Sequence, residues 1–370
     1  MASPHRIALI TTGGTITGHI SSDKQDPGMI RTGDELMALL ARMIDFLDRL
    51  HGIEISIDPF EVCNEDSSNI LPKHWAQLAE LIKQKYDDYD SFIITHGTNT
   101  LGYTCAALSF SLANPNKPIV LTGAQVTAGL PGSDGFINLE NALRIAVWRR
   151  EMNPIKGVVA VFGSHIIAGT RVKKDTEFDY DGFKSFGSGS IGRIGRIINI
   201  NESNLLRHVR YLHSASYPMA TKAKELLCEH DFDMRIASIT EFPGMSSDLF
   251  KSVVEQNEIK GIILRSFGAG DPCMSHRAAF EYLKSEKIPL VVTTQVPNGN
   301  SNFQVNESGR ILRENQLAIP AYDMSIESQT TKLGWLLAKM NRGEISYARL
   351  GQDMITDMRG EINPIWEVDA

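Results

Sequence analysis

Short apolar runs alternate with amphipathic stretches along most of the chain. The runs 7–10 and 91–94 each have the length of a buried strand, and each ends in a turn rich in Thr and Gly. Apolar residues three and four positions apart predict helices between the strands. The predicted strands of the first half are 7–10, 53–57, 91–94, 118–121 and 158–162, and its predicted helices are 72–85, 101–112, 139–149 and one that begins at Thr32. This alternation predicts an α/β fold built on a doubly wound, mainly parallel sheet.

The alternation weakens after Ala168. Residues 168–196 are polar and glycine-rich and are predicted to form a loop, although 187–192 has the formal spacing GxGxxG. A dinucleotide-binding loop of that spacing requires a strand before it and a helix after it, and the sequence indicates neither. We therefore expect no bound cofactor.

Residues 201–233 carry many charges and a Ser-Ala-Ser-Tyr-Pro break, with no predicted strand, which is typical of a linker. The strand–helix pattern then resumes, with strands predicted at 236–240, 262–264 and 290–292 and helices at 248–256, 277–284 and 330–340. The sequence thus predicts a larger N-terminal domain over residues 1–202, a linker over 203–233 and a smaller α/β domain over 234–370.

Composition excludes several classes of partner. The chain has 37 basic and 44 acidic residues, a balance that argues against a nucleic-acid partner. It has no apolar signal segment and no run of roughly 18 apolar residues, so we expect a cytoplasmic protein without a membrane partner. The four cysteines form no CxxC pair and the histidines form no HExxH motif, which favours reduced thiols over disulfides and predicts no metal.

Candidate chemistry gathers where the first strands end. Gly13 and Gly14 let the chain turn sharply and place Thr15 at the carboxyl end of the first strand, where open α/β sheets bind ligands. Residues 95–100, THGTNT, would bring further hydroxyl groups to the same crevice. This arrangement suits a threonine nucleophile in a pocket lined by hydroxyl and amide groups. His96 is expected to be a hydrogen-bonded structural residue rather than a base.

Two stretches, TTGGTIT at 11–17 and YDDYDSFIITHGTNTLGYTCAALSF at 86–110, resemble the signature motifs of the bacterial L-asparaginase family, closest to its cytoplasmic type I branch. The resemblance continues through KPIVLTGAQ (117–125), SDGFINLENAL (133–143), ILRSFGAG (263–270), DMSIESQTTKLGWLL (323–337) and MRGEINP (358–364). It covers nearly the whole chain. It implies an amidohydrolase that acts on a small-molecule amide and needs neither a metal nor a cofactor.

The resemblance also implies roles for particular residues. Thr15, in GGT, matches the nucleophile of the family, and Thr98, in HGT, matches its second active-site threonine. Lys174, in GTRVKK, falls where the family has its catalytic lysine, with Lys173 as the alternative one residue away.

Substrate recognition is implied for the sequence EDSS. Asp66 and Ser67 match the loop that holds the α-carboxylate and α-amino groups of the substrate. Backbone N–H groups at the glycine turns, around Gly14 and Gly97, are expected to bind the substrate and its oxyanion. In the implied mechanism the Thr15 hydroxyl attacks a side-chain carboxamide, ammonia leaves, and water hydrolyses the acyl-enzyme.

Two positions depart from the family pattern. Asn99 stands where the family usually has a catalytic aspartate, in HGTDT. The segment 18–30, expected to be a lid over Thr15 rather than a plain surface connection, has no tyrosine and places Met29 where the family has one. A neutral amide at position 99 should lower the pKa of the catalytic lysine and weaken the binding of a free α-ammonium group.

Three functions therefore remain open. The chain is an amidohydrolase for an N-substituted asparagine or related amide, a slow or inactive asparaginase, or a non-enzymatic sensor or partner subunit. The presence of Thr15, Thr98 and Lys174 argues against the third. The archaeal tRNA-dependent amidotransferase subunit, another relative, is expected to carry extra sequence before the first strand, whereas six residues precede Ile7 here.

The resemblance further implies assembly and regulation. Family members are homodimers or homotetramers, and Ser246 and its neighbours are expected to reach a partner's pocket. Cooperative members carry a cysteine after a Thr-Gln pair, and Val296 occupies that position here. We therefore do not expect the same effector control.

Overall fold

The structure is a computed structural model that describes residues 4–14, 40–41, 43–45, 47, 52, 54–127, 130–149, 153–210 and 225–363, without the side chain of Asn257. Thr15, the predicted lid 18–30 with Met29, and most of the helix predicted from Thr32 lie outside these residues. The chain divides into two units: the first comprises Met1–Ser185 and Gly189–His230, and the second comprises Phe186–Ser188 and Asp231–Ala370.

The first unit is built on an eight-stranded sheet. Its strands are β1 (His5–Thr11), β2 (Ile55–Glu61), β3 (Ser91–Thr95), β5 (Pro118–Thr122), β6 (Gly157–Phe162), β7 (His165–Ala168), β10 (Gly192–Ile194) and β11 (Ile198–Ile200). Short pairs beside the sheet are β4 (Leu112–Ala113) with β12 (Leu227–Cys228), and β8 (Val172–Lys174) with β9 (Phe183–Ser185). The described helices of this unit are α1 (Pro72–Lys85), α2 (Leu101–Ser111), α3 (Gly135–Ala146) and α4 (Glu202–Val209).

The strand order is β11-β10-β7-β6-β5-β3-β1-β2. Strands β2, β1, β3, β5 and β6 are parallel, whereas β7, β10 and β11 add antiparallel pairings at one edge. Residues Ile7 and Leu9 pack into the core on the α3 face, and Ala8 and Ile10 pack into the core on the face of α1 and α2. Because both faces of β1 are covered, its residues 7–10 form a continuous apolar run. The predicted α/β class is confirmed.

Strand register places three turns side by side. Thr11 is opposite Thr95 in the pairing of β1 with β3, and Thr95 is opposite Thr122 in the pairing of β3 with β5. The turns that follow these three threonines therefore start at the same edge of the sheet, at the carboxyl ends of parallel strands.

Two segments predicted to lack strands contain short ones. Residues 168–196 hold the strands β8, β9 and β10 rather than one loop, although 187–192 leads into β10 and not into a helix. Residues 201–233 contain the strand β12, which pairs with β4, and begin with α4. Strands of two or three residues are too short to show an apolar period, and they form here because a neighbouring strand offers hydrogen bonds.

The second unit has its own sheet. Four parallel strands follow the order β13 (Ile236–Thr240), β14 (Gly261–Ser266), β15 (Leu290–Thr294) and β16 (Ile319–Pro320). Its described helices are α5 (Asp248–Asn257), α6 (Arg277–Ser285), α7 (Glu307–Glu314), α8 (Ile326–Asn341) and α9 (Tyr347–Ile355). Helices α7 and α9 were not predicted from the sequence. Within the described part of the chain, no helix has the length and apolar character needed to span a membrane.

A buried ion pair joins α8 to the segment after α9. Lys332 Nζ lies 2.5 Å from Glu361 Oε1, and both side chains are fully buried. Lys332 also donates to the carbonyl oxygens of Met354 and Thr356, at 3.0 and 2.6 Å. Burial alone would raise the pKa of Glu361, but the charge and hydrogen bond of Lys332 hold that pKa below its usual value.

Candidate active site

The turn after β1 is pressed against its neighbours. Gly13 and Gly14 have φ of +98° and +86°, which side chains disfavour. A Cβ on Gly13 would lie 2.5 Å from the backbone N and O of Glu65, and one on Gly14 would lie 2.5 Å from Cα and N of Gly97. Glycine is therefore required at both positions by conformation and by space. Thr15, the expected nucleophile, follows directly but lies outside the described residues.

The turn after β3 is held by the loop that follows β2. Gly97 faces Ser67 so closely that a Cβ on Gly97 would lie 2.6 Å from Ser67 Oγ. The Asn99 backbone N–H donates to Ser67 Oγ at 3.1 Å, and the Thr100 hydroxyl donates to the Ser67 carbonyl at 2.6 Å. Ser67 itself is buried. The loop with the sequence EDSS is thereby fixed beside the HGTNT turn.

Asp66 is exposed at the start of a short 3₁₀ turn, Ser67–Asn69. Its Oδ1 accepts a hydrogen bond from the backbone N–H of Ser68 at 2.7 Å. Hydrogen bonds from the Ser68 backbone and side chain, and from the Asn99 side chain, lower the pKa of Asp66. The site therefore presents an ionised carboxylate at neutral pH.

Lys174 reaches the same turn from β8. Its Nζ donates to Thr98 Oγ1 at 2.9 Å, and both residues are partly buried. Burial lowers the pKa of Lys174, and the charge of Glu177 offsets only part of that shift. Since neighbouring residues of a strand point to opposite sides, Lys173 is directed away from the face that Lys174 presents. Of the two lysines, the structure brings Lys174 to Thr98.

Asn99 is oriented toward the Ser67 loop. Its side-chain amide donates to Ser68 Oγ at 3.0 Å. Among the described residues no hydrogen bond joins Asn99 to Lys174, so the hydroxyl of Thr98, rather than the side chain at position 99, contacts the lysine.

His96 is fully buried below this turn. Its Nδ1 pairs with the Gly97 carbonyl at 2.7 Å and its Nε2 with Thr104 Oγ1 at 2.9 Å, and Trp75 Nε1 donates to the same hydroxyl at 3.1 Å. Burial lowers the pKa of His96 to about 4. The imidazole is thus neutral at physiological pH and has the structural role that the sequence analysis expected.

The turn after β5 supports the segment that carries Lys174. Asp134 is buried and accepts from the backbone N–H groups of Gln125 and Val126 at 3.0 and 2.9 Å. Gln125 Nε2 in turn donates to the carbonyl of Thr176 at 3.0 Å, two residues after Lys174. The motifs TGAQ and SDGF were predicted only to belong to the resemblance, without a role for these residues. The signal in the sequence was the Ser-Asp pair at 133–134, since both residue types often precede a helix.

The described residues of the site offer hydroxyl groups, backbone amides, one ammonium group and one carboxylate. These groups can bind a carboxamide, an oxyanion and a charged amino acid backbone. They are not a typical zinc or calcium ligand set, because Asp66 is the one anionic ligand among them.

Comparison with known proteins gives a family for both parts of the chain. The pattern described as "Asparaginase, N-terminal" matches residues 6–206, and that described as "Glutaminase/Asparaginase C-terminal domain" matches residues 235–346. L-asparaginase 1 of Escherichia coli (strain K12) is 32% identical over 360 residues, which are 97% of this chain and 98% of the relative.

Two further similarities concern an amidotransferase subunit and a solved structure. A glutamyl-tRNA(Gln) amidotransferase subunit of Methanococcus maripaludis (strain C7) is 30% identical over 365 residues, covering 96% of this chain and 80% of the relative. The structure of the thermostable L-asparaginase from Thermococcus kodakarensis superposes with a TM-score of 0.79 at 28% identity, covering 97% of this chain and 99% of that one. On these matches and on the fold, this chain belongs to the asparaginase family.

Proposed function

We propose that this protein hydrolyses a side-chain carboxamide to a carboxylate and ammonia, with Thr15 as the nucleophile and Lys174 as the base. The contact between Lys174 Nζ and Thr98 Oγ1, at 2.9 Å, carries this proposal. Burial lowers the pKa of the lysine, which increases the fraction of neutral amine near neutral pH. The Thr98 hydroxyl can pass a proton from the attacking water to Lys174.

The reaction proceeds in two stages. The Thr15 hydroxyl oxygen adds to the carboxamide carbon, its proton is transferred to the departing nitrogen, and ammonia leaves an ester on Thr15. Water then adds to the ester and gives a proton to Lys174 through Thr98. When the bond to Thr15 breaks, the proton returns to the threonine oxygen. Backbone N–H groups at the turns of Gly14 and Gly97 stabilise the oxyanion in both stages.

Asp66 and Ser67 bind the amino acid part of the substrate in this proposal. Asn99 adds no negative charge, so a free α-ammonium group has one carboxylate fewer to pair with than in relatives with HGTDT. A buried ammonium group without a partner is costly. We therefore propose that the preferred substrate is an asparagine whose α-amino group is substituted, or a related amide.

The test measures ammonia release from L-Asn, D-Asn, L-Gln and an N-acylated or peptide-linked asparagine. The unmodified chain, Thr15→Ala and Asn99→Asp are compared. Cleavage of the blocked amide, with free L-Asn inert, supports the substrate proposal. Activity that appears only in Asn99→Asp and only on L-Asn shows an impaired asparaginase instead. Activity that survives in Thr15→Ala contradicts the assignment of the nucleophile.

The similarity to the amidotransferase protein of Methanococcus maripaludis supports a second candidate function, that of a partner subunit. In that case the isolated chain releases no ammonia from any substrate of the panel, and Asn99→Asp remains inactive as well. The same panel therefore separates the two functions.

We also propose that the protein is a cytoplasmic homodimer or homotetramer. Ser246 is exposed in the second unit, where its Oγ accepts from the backbone N–H of Asp248 at 3.2 Å, so its side chain is available at the surface. Sedimentation of the active protein tests the assembly, and an active preparation that is strictly monomeric contradicts it.

A further inference from the structure

Three side chains of metal-binding type meet at a place unrelated to the candidate active site. Glu80 lies on α1, and Cys228 and His230 lie at and just after β12. One ligand atom from each residue is within 4.8 Å of the other two, and His230 Nε2 is 3.7 Å from Glu80 Oε2. Among the residues that the structure describes, no other group of three His, Cys, Asp or Glu side chains is this close.

The fold holds the backbone at this place on two sides. Cys228 is opposite Leu112 in the pairing of β12 with β4, and the Glu229 N–H donates to the Ser111 carbonyl at 2.8 Å. On the other side, Lys83 Nζ donates to the carbonyl of Leu226. The positions of Cys228 and His230 relative to α1 therefore follow from backbone contacts, independently of any bound ion.

The three donor atoms are a sulfur, a nitrogen and an oxygen, a set that suits Zn²⁺. Two ligands of a tetrahedral zinc ion lie about 3.3 to 3.7 Å apart, given bond lengths of about 2.0 to 2.3 Å. For a nitrogen and an oxygen ligand the separation is about 3.3 to 3.5 Å, so the 3.7 Å between His230 Nε2 and Glu80 Oε2 has to shorten by a few tenths of an ångström. The distances from Cys228 Sγ to the other two ligand atoms are within 4.8 Å and have to shorten by about 1 Å for tetrahedral zinc. Rotation of the exposed Glu80 side chain provides part of this change.

Charge also fits a divalent cation. A Cys228 thiolate and the Glu80 carboxylate together neutralise Zn²⁺, and the nearby charges of Glu229 and Lys83 are opposite in sign.

We propose that Glu80, Cys228 and His230 form a zinc site with a water molecule in the fourth position. The ion has a structural role: it ties the chain around β12 to α1 within the first unit. This proposal differs from the prediction of no metal. Cys228 and His230 are two residues apart, but Glu80 lies on a helix far away in the sequence, so no spacing motif could predict the site.

The test uses the full-length protein, treated with a chelator and returned to buffer with or without Zn²⁺. We expect one zinc ion per chain by elemental analysis and a melting temperature several degrees higher with zinc, since a ligand that binds only the folded state stabilises it. With Co²⁺ in place of Zn²⁺, a thiolate-to-metal absorption band should appear.

Three single variants, Cys228→Ser, His230→Gln and Glu80→Gln, should each weaken zinc binding by more than about tenfold. Cys273→Ser, which removes an exposed thiol in the second unit, is the control and should retain zinc, the thermal shift and the cobalt band. Glu80→Gln changes an exposed side chain and should fold normally. It therefore keeps the test valid if Cys228→Ser proves unstable. Absence of stoichiometric zinc, or equal zinc affinity in Glu80→Gln and in the control, overturns the proposal.

Discussion

Gly14 and Gly97 lie in such close contact that no side-chain atom fits between them. A Cβ on Gly14 would be 2.5 Å from both Cα and N of Gly97. These residues belong to the turns after β1 and β3, so the two turns are held against each other by a contact between two backbones.

Gly97→Ala should therefore lower activity strongly. The new Cβ would lie 2.6 Å from Ser67 Oγ and would displace the loop that carries Asp66. We expect kcat/KM to fall by about 10²-fold, because displacements near 1 Å can cost that much. Steady-state kinetics on the amide that the panel identifies measures it. Gly195→Ala is the matched control, since its Cβ has no neighbour within 4 Å. Equal activity of both variants contradicts a role for the close packing of Gly97 against Ser67.

The two adjacent lysines should differ sharply when replaced. Lys174→Met removes the group that donates to Thr98 Oγ1, and a lost general base costs about 10²–10⁴-fold in kcat. Lys173→Met leaves that contact in place and should retain most of the activity. If Lys173→Met is the inactive variant, Lys174 is not the base.

Glu177 should set the pH at which the enzyme becomes active. Its negative charge raises the pKa of Lys174 against the effect of burial. Because the neutral amine is the active form, Glu177→Gln should move the rising limb of the pH–kcat profile to lower pH. Asn99→Asp adds a negative charge nearby and should move the limb to higher pH. A limb unchanged in both variants indicates that Lys174 does not control the rate.

Two buried histidines should make the protein less stable in mild acid. His96 and His208 are fully buried, and burial lowers the pKa of each to about 4 from an ordinary value of 6.5. Between these pH values the unfolded chain binds protons that the folded chain does not, so the free energy of unfolding falls as pH falls. Each histidine contributes up to about 3 kcal/mol over this window.

Urea unfolding at pH 7 and pH 5 measures this dependence. His208→Gln should remove about half of it, since His208 lies outside the candidate active site and has the same shift. A variant with the full pH dependence of the original chain would show that other groups are responsible.

The buried pair in the second unit should be much more sensitive to a single change than to a double one. Lys332→Met leaves the Glu361 carboxylate buried without its cation, which costs about 3–5 kcal/mol of the free energy of unfolding. The double variant with Glu361→Leu should recover part of that loss. The exposed pair of Lys251 and Glu255 is the control, and Lys251→Met should cost less than about 1 kcal/mol. Urea titrations give all three values.

The sequence predicts best where burial is two-sided. Strands β1, β3 and β5 have continuous apolar centres because helices cover both of their faces, and all three were predicted within one or two residues. The strand β8 has the sequence Val-Lys-Lys, and its conformation depends on pairing with β9, which a single-sequence pattern does not contain. Helix α3 begins at Gly135, four residues before the predicted start. The prediction missed this first turn because Phe136 and Ile137 are apolar but exposed, so they do not follow the apolar period of the helix.

For the candidate site, the sequence predicts the turns but not the contacts between them. The glycine turns predicted that several loops meet at the edge where the parallel strands end, and the register of β1, β3 and β5 places their turns side by side there. That the loop with Asp66 and Ser67 reaches this edge depends on β2 pairing beside β1, a long-range relationship for which the sequence offers only resemblance. The position of Asn99 against Ser68, rather than against the lysine, depends on side-chain geometry that no sequence pattern determines.

Gln125 holds the segment of Lys174 from a turn that carries none of the residues proposed to bind the substrate. In the proposed function, the exposed Asp66 carboxylate on the loop after β2 binds the substrate, whereas the segment of Lys174 is held from the turn after β5, through the contact of Gln125 with Thr176. A change at exposed Asp66 can then alter which amide is accepted while the segment of the proposed base stays in place, whereas a change at buried Ser67 would also disturb the turn of Thr98. On this proposal, Asp66 is the position at which evolution or engineering can diversify the substrate without rebuilding the chemistry.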